Sequence, residues 1–112
     1  MIITITSIRL KTVWHFFKLS FFALRIVRQT KQERGFVSMK STGFGYMHYT
    51  LSVWENEEAL KRFARNGAHL EAMKQSRSIA SEIRTYTFQS EQVPQWNEVK
   101  LTLKEKGKVF SF

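Results

Sequence analysis

Cysteine is absent from the chain, which excludes disulfides, thiolate nucleophiles, Cys-ligated zinc and iron–sulfur clusters. Proline occurs once, at Pro94, and the five glycines are scattered, so no dinucleotide-binding or phosphate-cradling glycine pattern can be drawn from them. HExxH, GxSxG, zinc-finger spacing and RNA-module signatures are also missing. Hydrolase and zinc readings are therefore weak. Long hydrophobic runs are lacking too. The most apolar stretch, residues 13–27, is too short to span a bilayer and is interrupted by His15, Lys18 and Arg25. The opening MIITITSIRLK has no basic residue before its apolar run and alternates like a strand, a poor match to a signal peptide. A soluble, cytoplasmic protein is the expectation, with no membrane span.

Carboxylates are scarce: nine Asp and Glu face eighteen Lys and Arg, for a formal net charge of +9. The imbalance is local. Residues 1–40 hold eight Lys or Arg against Glu33 alone, whereas the rest is nearly balanced. Such an excess attracts polyanions at long range, but a solvated helix face with scattered strand-end charges explains it more simply. Nucleic acid is not an expected partner. What the chain has in quantity is apolar and aromatic side chains, 43% hydrophobic and ten Phe in 112 residues, enough to pack one core. Residues 1–112 are read as a single domain.

Ile2, Ile3, Ile5, Ile8 and Leu10 among Thr and Ser make a first strand. A long helix is predicted over 12–31, with Thr12 as N-cap. Lys11, His15, Lys18, Arg25 and Gln29 form its wet stripe, and Val13, Phe16, Phe17, Leu24 and Val27 its buried side. Trp14, Phe21 and Phe22 widen the apolar surface past half the circumference, more than one sheet covers, which suggests a partner subunit. Residues 36–40 and 46–54 are expected to pair as a hairpin through a loop containing Gly43 and Gly45. In the second strand Tyr46, His48, Thr50, Ser52 and Trp54 alternate with Met47, Tyr49, Leu51 and Val53.

Asn56 suits an N-cap and Glu57 and Glu58 the first turn of a helix, which Asn66 and Gly67 break before a second helical piece from Ala68 to about Arg77. A strand over 82–89, a helix over 96–106 ended by Gly107, and a terminal strand over 108–112 complete the order. This is βαββαβ with an appended helix and strand, the ferredoxin-like α+β arrangement with both main helices on one sheet face. The other face is then left partly apolar, and pairing two subunits covers it in a dimeric α+β barrel.

Two histidines and a tryptophan are the candidate site residues. His69, at the rim of its helix's apolar stripe, is a possible metal ligand or proton carrier because imidazole titrates near neutrality. Trp54 ends a strand, where its indole can wall a pocket for a flat ligand or fill core. His48 shares its face with Trp54, among Tyr46, Thr50 and Ser52, as part of a polar pocket or an interface.

The segment YTLSVWENEEALKRFARNGAHLEAM, with FFALRIVRQTKQERGFVS before it and WNEVKLTLKEKGKV after it, resembles the spheroidene monooxygenase-like group of the antibiotic biosynthesis monooxygenase-like superfamily. The resemblance implies a homodimeric, monooxygenase-like oxidoreductase that binds an apolar or planar ligand, possible haem included, between helices and sheet. Trp54 and His69 would be its catalytic residues, His69, Trp54 and His48 its cofactor-binding residues, and His69 the axial metal ligand. Haem-degrading relatives also carry an Asn on the first strand, where this chain has Thr4, Thr6 and Ser7, so their reaction is not implied. The alternative is a non-catalytic dimeric binding or stress-type module with its cavity filled by its own Phe and Trp.

Overall fold

The computed structural model describes residues 1–65 and 67–112, apart from the side chains of residues 68–70. Among the described residues, β1 (Ile2–Leu10), β2 (Phe36–Phe44), β3 (Met47–Trp54), β4 (Ala80–Gln89) and β5 (Lys108–Ser111) form one antiparallel sheet. Their spatial order is β2-β3-β1-β4-β5. The helices are α1 (Phe16–Gln32), α2 (Glu57–Ala64), α3 (Gly67–Ile79) and α4 (Trp96–Lys106). The first four strands with the helices between them are the ferredoxin-like unit, and α4 and β5 are appended to it.

Alternation along β1 sorts the sheet's two faces. Ile3 and Ile5 join Leu51 and Val53 of β3 in a core closed by Val99 and Leu103 of α4. Ile2 and Ile8 point the other way. Ile2 packs with Trp54, Ala59 and Phe63, and Ile8 with Phe22, Ile79 and Ala80, so this second face lies under α1, α2 and α3. The sheet is thus covered on both sides. The expectation of one bare, partly apolar face in the isolated subunit is corrected: α4 crosses it, with the Lys100 ammonium 5.2 Å from the centre of the Tyr49 ring.

Local chemistry accounts for most of the boundaries. Asn56 is extended and its side-chain oxygen accepts from the Ala59 N–H at 2.9 Å, a cap that contributes about 1 kcal/mol to α2. Gly67 opens α3 at φ +58, and a Cβ there would stand 2.9 Å from the Gln29 amide oxygen. That amide's nitrogen donates to the Phe63 carbonyl at 3.1 Å, tying α1 to the end of α2. Glycine suits this position because it adopts the left-handed backbone without strain.

Three local expectations change. The hairpin needs no extended loop: β2 runs on to Phe44, which pairs with Met47 across a two-residue turn whose first residue, Gly45, has φ +62. Thr12 does not cap α1. A 3-10 turn over Val13–His15 precedes the helix, and the Thr12 hydroxyl lies 3.3 Å from His15 Nδ1. The third change concerns which side of α1 is buried. Val13, Phe16, Phe17, Leu24 and Val27 are exposed, whereas Phe22 and Thr30 are buried, with Leu19 and Ile26 packed beside them.

Candidate functional site

The register of three strands builds the site. Thr4 of β1 lies between Ser52 of β3 and Thr87 of β4, and Thr6 lies between Thr50 and Thr85. All six share the face under α1, α2 and α3, because they alternate with the residues that pack on α4. Ile2 and Trp54 flank this hydroxyl band at one end, and Ile8 and Ile83 at the other. β-branched threonines suit a strand backbone, and their hydroxyls pair across it: Thr4 with Thr87 at 2.9 Å, Thr6 with Thr85 at 3.4 Å.

Helices pack over both ends of the band, yet Thr4, Thr6, Thr50 and Thr85 stay only half-buried. Solvent therefore reaches the hydroxyls between two apolar clusters. Ser52 is buried, and its hydroxyl oxygen accepts the Trp54 indole N–H at 3.0 Å. With one lone pair so engaged, the Ser52 O–H proton remains available to a further acceptor. The arrangement offers hydrogen bonds in the middle and apolar contact at the ends.

Trp54 itself is 0% exposed. Its ring centre lies 4.9 Å from that of Phe63 and 5.8 Å from that of Phe36, so the indole fills core at that end of the band. His48 is half-buried at the other end of β3, about 20 Å from Trp54 along the strand. Its Nε2 lies 3.0 Å from the Gly45 carbonyl, and its ring stacks on Phe16 at 5.3 Å, which engages it with the hairpin turn. The side chain of His69, named above as catalytic residue and metal ligand, lies outside the described residues. Among the described residues, no three His, Cys, Asp or Glu side chains come together as a metal site.

A haem was implied by resemblance. Its proposed ligand, the His69 side chain, lies outside the described residues; of the other two, Trp54 is sealed between Phe36 and Phe63, and the His48 ring is hydrogen-bonded to a turn at the end of the band. The threonines of β1 and β4 are the functional candidates that sequence reasoning passed over. Their signal was the Thr4–Thr6 and Thr85–Thr87 alternation, which acquires meaning only when the two strands are known to be neighbours.

No protein-family model matches the sequence, and no curated protein does. Solved structures do match the fold. A candidate antibiotic biosynthesis monooxygenase from Deinococcus radiodurans superposes with TM-score 0.73 at 13% identity, over 85% of this chain and 97% of its own. SnoaB, a cofactor-independent oxygenase from Streptomyces nogalater, does so with TM-score 0.67 at 16% identity, over 84% and 97%. A candidate antibiotic biosynthesis monooxygenase from Nitrosomonas europaea gives 0.73 at 10% identity, over 82% and 100%. What the chain shares with these structures is the fold, a ferredoxin-like α+β arrangement.

Proposed function

We propose that this protein is a monooxygenase-like homodimer whose subunits each bind an apolar or planar organic molecule between the hydroxyl band and the helices. The observation that carries this reading is the band itself, six hydroxyl side chains in two rows, reached by solvent and bounded by apolar clusters. Thr4, Thr6 and Ser52 would hydrogen-bond ring oxygens of the ligand, and Ile2 and Ile8 would contact its apolar ends. Trp54 acts through Ser52, by fixing which way that hydroxyl donates. SnoaB is a cofactor-independent oxygenase, which supports a reading in which no haem is needed. The spheroidene monooxygenase-like subgroup rests on the sequence resemblance alone.

Titrating 1,4-naphthoquinone against intrinsic fluorescence tests the site. Saturable binding is expected, weakened about three- to tenfold by Thr6→Val, the loss of one hydrogen bond. Absence of binding, or equal affinity in Thr6→Val, rejects the band as the site.

The alternative of a non-catalytic module filled by its own aromatic side chains is favoured at one end by the Trp54–Phe63–Phe36 cluster. Oxygen uptake with bound ligand separates the two readings. The dimer is supported by exposed Val109, Phe110 and Phe112 in and just after the appended β5. Sedimentation equilibrium at micromolar concentration should give twice the chain mass; the 13.3 kDa monomer would reject it.

A further inference from the structure

The outward face of α1 takes no part in the site. Its buried side is formed by Phe22 and Thr30 with Leu19 and Ile26. On the opposite side Trp14 of the preceding 3-10 turn and Phe17, Phe21 and Leu24 of the helix follow one another at steps of three and four residues. They are 75%, 68%, 58% and 67% exposed. Trp14 and Phe17 stack with ring centres 6.4 Å apart, and the Arg25 guanidinium lies 5.9 Å from the centre of the Phe21 ring. Lys18, Arg25, Arg28 and Lys31 stand among and beside these rings, and no Asp or Glu occurs before Glu33. The helix is thus amphipathic twice over: one side is docked on the sheet, and the other carries large aromatics in a row of cations.

We propose that this face binds the surface of an anionic lipid bilayer, with α1 lying in the plane of the interface. The charge and the apolar rings must be satisfied together, and this decides the occupant. A bilayer interface supplies anionic headgroups to the Lys and Arg side chains and hydrocarbon to Phe17, Phe21 and Leu24, with Trp14 at headgroup level. A phosphate backbone meets the cations but gains nothing from burying Leu24 and two phenyl rings. A second copy of the same face would bring two rows of cations together, which repel. The helix is already formed and held on the sheet, so binding requires no folding of the segment. Among the described residues no helix is long and apolar enough to cross a membrane, consistent with a helix that lies on one.

Co-sedimentation of the full chain with phosphatidylcholine vesicles, with and without about 30% phosphatidylglycerol, tests the proposal at low salt. At least tenfold stronger partitioning onto the anionic vesicles is expected, with a blue shift of tryptophan emission that Trp14→Phe reduces. Arg25→Glu/Arg28→Glu should weaken partitioning about 25-fold or more, near fivefold for each lost cation. Phe17→Ser/Phe21→Ser should weaken it more than tenfold while circular dichroism stays unchanged, since both rings are outside the core. The charge-matched Lys61→Glu/Lys74→Glu should stay within about twofold of the parent. Equal partitioning onto neutral and anionic vesicles, or none onto either, overturns the proposal, and neither result depends on any variant folding. An equal loss in Lys61→Glu/Lys74→Glu would show general charge attraction instead. A dimer that dissociates on Phe17→Ser/Phe21→Ser would show that a second copy covers the face.

Discussion

Trp54→Ala should destabilise the protein by about 3–5 kcal/mol, the range for truncating a large buried aromatic. For a domain of this size that lowers the melting temperature by roughly 12–20 °C, read by circular dichroism at 222 nm. The size of the effect follows from the position of the ring. Trp54 is wholly buried, seated against Phe63 and Phe36, and it links the end of β3 to α2 through Ala59 and Phe63. Removing it opens a cavity beneath the start of α2 and leaves the Ser52 hydroxyl without its indole donor. A tryptophan that walled an open pocket would respond otherwise, with affinity lost and stability nearly kept. Trp54→Phe helps to divide the two contributions, because it keeps an aromatic ring in the cluster while removing the N–H and the second ring of the indole. Its expected cost is about 1–2 kcal/mol, with a change in ligand affinity transmitted through Ser52.

Leu103→Ala is the second large effect, about 2–5 kcal/mol, and Leu101→Ala on the same helix should change stability by no more than about 0.5 kcal/mol. Chemical denaturation of the two variants gives the contrast directly. Leu103 and Val99 are buried against Ile3, Ile5, Leu51 and Val53, whereas Leu101 points to solvent. The pair therefore reports whether α4 is docked on the sheet of its own subunit. Similar small losses for both would mean that α4 is detached in solution and that this sheet face is free, as the sequence alone had suggested.

Much of the architecture was legible before any coordinates. Period-two alternation located β1, β3 and β4; Asn56 with Glu57 and Glu58 marked the start of α2; Trp96 and Gly107 bracketed α4. These are local signals, carried by side chains that act on their own backbone within a turn or a strand. The hairpin turn was less legible because Ser41, Thr42 and Gly43 read as loop residues. Pairing with β3 recruits them into β2, since a ladder offers their backbone groups hydrogen bonds that composition does not reveal.

The site was legible only in parts. Thr50 and Ser52 stood out as a hydroxylated face, but Thr4, Thr6, Thr85 and Thr87 became a site with them only through strand order and register. Trp54 and His48 occupy one face of one strand in the sequence, yet one is sealed in core and the other is held at a turn. The same division applies to α1. Its residues determine a helix whose apolar surface passes more than halfway round, and they determine that its cations have no carboxylates among them. They cannot determine which part of so wide a surface is buried. Only tertiary packing decided that Phe22 and Thr30 turn inward while Trp14, Phe17, Phe21 and Leu24 face out. Secondary structure follows from interactions local in the chain, whereas the choice between two coverable faces depends on which distant element arrives to cover one of them.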